Sequence, residues 1–79
     1  MDRKVALTEY IKNEIIRNRN SQVDESENLL SAGILDSLSI LKLVAFVEET
    51  FGIQVPDQDV VYQNFKSVSA LDEYLHQHK

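Results

Sequence analysis

Apolar residues recur with helical spacing in three stretches of the chain, return more weakly in a fourth, and lose that spacing in one long interval. Between about Lys4 and Asn18, Leu7, Ile11 and Ile15 lie four residues apart, with Tyr10 one turn from Leu7. Lys12, Glu14 and Arg17 take other positions on the wheel, so this segment predicts one amphipathic helix. From Arg19 to Asp36 the period fades into Asn, Ser, Gln, Asp and Glu, punctuated by Gly33. Leu29, Leu30, Ile34 and Leu35 sit inside that interval and are expected to pin it to the core, because a long loop without anchors is unusual in a compact domain.

The clearest boundaries belong to the next element, expected from about Ser37 to Phe51. Asp36 is suited to cap its start, and Gly52 stands where a left-handed C-terminal residue is expected. Between Leu38 and Val47 only Ser39 and Lys42 are polar, so the helix is apolar nearly all round. Leu38, Leu41 and Ala45 trace one stripe, and Ile40, Leu43, Val44, Val47 and Phe51 trace another. One helix of a small bundle rarely buries two stripes, so the pattern predicts that one stripe faces partners.

A short helix is expected from Pro56 or Asp57 to about Tyr62, with Pro56 in a first-turn position and Asp57 and Asp59 near the positive end of its dipole. Val60 and Val61 also suit a strand, but no second strand-like run exists to pair with one. Ser67 is placed to cap a last helix from Val68 to about His76, with Val68, Leu71 and Leu75 facing inward and Tyr74 at the edge of that face. The fold class expected is all-α: a four-helix bundle with a long loop between helices one and two and a short third helix.

At 79 residues the chain is expected to form a single domain over residues 1–79. A domain of this size buries only about 60% of the surface its unfolded chain exposes, which leaves little structure to wall an enzyme pocket. There is no cysteine, so any thiol chemistry must come from outside. No charged leader precedes a long apolar run, and nothing approaches the roughly 20 apolar residues that span a bilayer, so a cytoplasmic protein without membrane insertion is expected.

The formal net charge of −5 is unevenly spread: Arg3, Lys4, Lys12, Arg17 and Arg19 outweigh Asp2, Glu9 and Glu14, and the excess of carboxylates lies in the rest. Such a surface disfavours nucleic acid and suits partners with basic patches. It serves equally as a solubilising surface, which charge alone does not distinguish.

The stretch with chemistry in it is Gly33-Ile34-Leu35-Asp36-Ser37-Leu38. A serine directly after a capping Asp has its hydroxyl at the solvent edge of the bundle, where unpaired backbone N–H groups and the helix dipole favour an attached phosphate. Asp-Ser at a helix start is also a common capping pair, so the dipeptide alone decides nothing. Around it stand the apolar helix ending in Glu48-Glu49-Thr50-Phe51-Gly52-Ile53, then Val55-Pro56-Asp57, and later Phe65-Lys66-Ser67-Val68. With the amphipathic first helix and the anchored loop, this order of features resembles the acyl carrier protein superfamily over nearly the whole chain.

That resemblance implies that the serine matching Ser37 accepts a 4'-phosphopantetheine arm from coenzyme A through a separate phosphopantetheinyl transferase. The terminal thiol of the arm then carries an acyl or aminoacyl group as a thioester. Asp36 would position the serine and its phosphate, and Leu38 would form part of the apolar docking contact. Partner contacts are expected from Leu38, Ile40, Leu41, Lys42, Glu48 and Glu49. The partners implied are the transferase, an acyl- or aminoacyl-loading ligase, and synthase or transferase enzymes, each visited by a monomeric carrier. Housekeeping fatty-acid carriers usually follow the Asp-Ser-Leu triplet with an acid and carry another a few positions on, where this chain has Ser39 and Lys42. The departure points to a specialised pathway such as polyketide, aminoacyl or D-alanyl transfer.

Other chemistry lacks its residues. His76 and His78 do not share a helix face and read as a solvated tail rather than metal ligands. A calcium loop starting at Asp57 would need Gly and Glu where Tyr62 and Val68 stand. Ser37 lacks the flanking glycines and the base of a hydrolase nucleophile, because Leu35 and Ser39 stand there. No catalytic or metal-binding residue is therefore expected, and the rival to a carrier is a non-covalent interaction module that uses the apolar second helix.

Overall fold

A computed structural model describes residues 2–18 and 22–77, and the expectations for Arg19 and His78 fall outside them. The elements are helical throughout the described residues: α1 (Arg3–Tyr10) continued by a π-helix (Ile11–Ile16), α2 (Ser37–Phe51), a 3-10 turn (Asp57–Asp59), α3 (Tyr62–Phe65) and α4 (Val68–Gln77).

The Asp2 side chain accepts the Lys4 N–H at 2.8 Å, which starts the first helix one residue earlier than the pattern predicts. Leu7 and Ile11 are buried as expected, but the regular helix does not reach Asn18. It widens after Tyr10 into i→i+5 turns, which turn Ile15 and Ile16 together toward the core. Arg17 then closes the element in the left-handed region, at φ 62°.

The long loop is pinned by the aliphatics expected to do so. Leu29 and Leu35 are buried, and Leu30 and Ile34 pack against the same cluster. Backbone bonds reinforce them: the Leu29 N–H donates to the Lys66 carbonyl at 2.6 Å, and the Leu29 carbonyl accepts from Ile34 and Leu35. The Ser69 N–H donates to the Glu25 carbonyl, so the loop is clasped to the start of α4 at two points.

In the third region the structure corrects the sequence reading. One helix from Pro56 or Asp57 to Tyr62 does not form; Asp57–Asp59 make a single 3-10 turn, and α3 begins only at Tyr62. The break falls on the β-branched pair, with Val61 extended at φ −128°, ψ 161°. The expected final helix forms, with the Ser67 Oγ accepting the Ala70 N–H at 3.0 Å and α4 packing against α1 and α3. Tyr74 is buried rather than at an edge, because its hydroxyl reaches across to donate to the Asp59 carboxylate.

Leu7, Ile11, Leu43, Val47, Phe65, Leu71 and Leu75 meet in one core cluster. Each Leu, Ile, Val or Phe so buried contributes about 1.5–3 kcal/mol relative to exposure. What this framework positions is the first turn of α2, held between the anchored loop and the core face of the helix.

Candidate functional site

At the N-terminus of α2, Asp36 is extended (φ −126°, ψ −174°) and its Oδ1 accepts the Ser39 N–H at 2.8 Å. That bond is the main reason its carboxyl is held below the ordinary carboxylate range. The Asp36 carbonyl accepts the Ile40 N–H and closes the first turn. Ser37 is the first helical residue and is exposed, and among the described residues no protein group hydrogen-bonds its hydroxyl. The amides of Ser37 and Leu38 have no intrahelical partner, as first-turn amides do not, and the dipole of a 15-residue helix points its positive end at this hydroxyl. An exposed alcohol in that setting fits a phosphodiester.

Beyond Ser37, α2 divides its two apolar stripes. Leu43 and Val47 are buried, and Ile40, Val44 and Phe51 pack against the core. Leu38 is 63% exposed and Leu41 65%, with Ala45 open beside them. Ile40, expected among the partner contacts, packs instead against the core, and the exposed apolar side chains of this face are Leu38 and Leu41. Lys42 is exposed at the edge of this face, and its carbonyl accepts the Tyr10 hydroxyl at 3.2 Å. Glu49 is exposed without a side-chain bond among the described residues, whereas Glu48 Oε2 accepts the Val55 N–H at 3.0 Å and so steadies the chain after Gly52.

Sequence reasoning missed Val61 and Tyr62, which expose apolar surface at the start of α3. The Tyr62 hydroxyl accepts from the Asn28 side chain, and this bond, with Ser31 and Lys66 adding to it, holds the phenol below its ordinary value. Nothing in the sequence marks a pairing between residues so far apart. Among the described residues no group of His, Cys, Asp or Glu could hold a metal ion, and His76 stands instead 3.4 Å from the Arg3 guanidinium.

The family model for a phosphopantetheine attachment site matches residues 6–75. The chain belongs to the acyl carrier protein family. It is 33% identical over 69 residues to an acyl carrier protein of Acidothermus cellulolyticus, a match that covers 87% of this carrier and 79% of that relative. A chain in a crystal structure described as an FAD-dependent dehydrogenase superposes with a TM-score of 0.79 at 29% identity, over 86% of this carrier and 96% of that chain. This carrier thus bears a covalent 4'-phosphopantetheine arm, is a carrier rather than a catalyst, and interacts with synthases and transferases as its family does. Among the described residues no helix is long and apolar enough to cross a membrane.

Proposed function

We propose that Ser37 is the attachment residue, that Asp36 positions it, and that Leu38 and Leu41 form the apolar contact for enzymes that act on the arm. The observation that carries this reading is the exposed, unengaged Ser37 hydroxyl at the capped start of α2, beside an open apolar stripe. When attached, the arm supplies a thiol that holds an acyl or aminoacyl group as a thioester, which the cysteine-free chain cannot do itself. In the loading step the Ser37 Oγ bonds to the pantetheine phosphate of coenzyme A as the bond to its nucleotide half breaks. The serine proton goes to a base of the transferase, since no side chain of the described residues is hydrogen-bonded to this oxygen.

Tethering raises the effective concentration of the cargo at each enzyme in turn, and two exposed leucines suit contacts that form and release. The cargo we assign to a specialised pathway, because Lys42 is the only charged residue between Ser37 and Val47. The likeness to the chain from the dehydrogenase structure makes an FAD-dependent dehydrogenase one partner to assay directly. A non-covalent module is not favoured, since membership of the family brings the covalent arm.

Incubation with coenzyme A, magnesium and a broad-specificity phosphopantetheinyl transferase, followed by intact-mass measurement, tests the attachment. One phosphopantetheine group should be added to the parent chain and none to Ser37→Ala. Modification that persists in Ser37→Ala would move the site elsewhere.

A further inference from the structure

On the side of α2 away from Ser37 an open groove of about 330 Å³ runs between α1 and the C-terminal half of α2. Tyr10 and Phe46 form its floor, stacked with ring centroids 4.2 Å apart, and Phe51 meets Phe46 edge-on at 5.9 Å. Val5, 54% exposed, and Thr50 extend the walls, and Glu9 and Glu14 border it. Among the described residues no lysine or arginine lines the groove. Its negative character is felt at Tyr10, whose hydroxyl is raised above its ordinary value by burial first and then by the charges of Glu14 and Glu49.

Two occupants fit an aromatic floor between carboxylates: the cationic end of a tethered aminoacyl group, or a basic segment of another protein. Position decides between them. Phe46 lies nine residues after Ser37, which is about half a turn round the helix and about 13 Å along its axis. A group attached at Ser37 would have to bend half a turn round α2 to arrive there, away from the Leu38–Leu41 face beside its attachment. The groove is also the size of a few side chains from one helix face, which suits the helix-in-groove mode of recognition.

We propose that the groove between α1 and α2 docks a basic amphipathic helix of a partner protein, whose apolar residues cover Val5 and Phe46 while its Lys or Arg side chains meet Glu9 and Glu14. Cations above the exposed parts of the Tyr10 and Phe46 rings gain a further attraction from the ring faces. Because this surface is separate from the Leu38–Leu41 stripe, the carrier can be held by one protein while another works at the start of α2. The inference goes beyond the attachment at Ser37 and does not depend on it.

The test titrates the full chain, with and without the arm, with an amphipathic helical peptide of leucine and lysine while amide chemical shifts are followed. Shifts should centre on Val5, Tyr10, Phe46 and Thr50 in both forms. The double variant Glu9→Gln/Glu14→Gln should bind about fivefold more weakly, as expected for the loss of two exposed charge contacts. Asp57→Asn/Glu73→Gln removes the same charge elsewhere and should stay within about twofold of the parent. The proposal is overturned by absence of binding, by shifts centred on Leu38 and Leu41, by equal loss in the control variant, or by equal affinity for the same peptide with glutamate in place of lysine.

Discussion

Leu38 and Leu43 are five residues apart on one helix and have opposite fates, since one side chain stands in water and the other is fully buried. Leu38→Ala should therefore leave stability within about 0.5 kcal/mol of the parent, as surface changes usually do. Leu43→Ala should cost about 2–5 kcal/mol through lost burial and the cavity left behind. Urea melts followed by circular dichroism measure both. In phosphopantetheinylation assays Leu38→Ala should raise KM for the carrier, as the proposed docking role of this exposed side chain requires. Wheel positions made the buried stripe legible and set Ile40 apart from Leu41. Ile40 falls on the Leu43–Val47 side, as the stripe pattern places it, and is partly buried against the core.

At the scale of elements, α2 was readable to the residue because both ends carry their own chemistry: an Asp that caps one end and a glycine at φ 69° that closes the other. The first helix and the third region were less readable. No local signal marks the widening after Tyr10, and the break at Val60 and Val61 depends on contacts made across the fold. The bond from Tyr74 to Asp59 is one of those contacts, and with the Asn64 side chain on the Asp59 carbonyl it holds the 3-10 turn against α4. Burial, that bond and the Asp59 charge push the Tyr74 phenol up to about 12 from an ordinary 10.0. An acid raised in this way stabilises the fold fully below its unfolded value, and the contribution fades as pH rises through about 12. Tyr74→Phe should thus destabilise by about 1–3 kcal/mol at neutral pH. In denaturant melts at rising pH, its deficit relative to the parent should shrink through the alkaline range.

For the whole molecule, a chain of 79 residues has a total stability of only about 4–12 kcal/mol. Phe65 is among the largest fully buried side chains, at the junction of the short third helix with the core. Phe65→Ala should cost about 3–5 kcal/mol, enough to leave a large part of the population unfolded at physiological temperature. Thermal melts by circular dichroism would register it as a collapse of the transition midpoint, whereas the same change at exposed Tyr62 should move it little. Family and architecture were legible because the order of cap, apolar helix and anchored loop survives in linear sequence. The groove between α1 and α2 was not, since it exists only once Tyr10 and Phe46 face each other.

The two main-chain clasps between the loop and the start of α4 use only amide and carbonyl groups, which every residue except proline supplies in full. Most side chains from Asp24 to Ser26 and at Ser31 and Ala32 lie open to solvent around them. Substitutions of those exposed side chains can therefore alter the charge and shape of the stretch while both clasps, and the path of the chain toward Ser37, are kept.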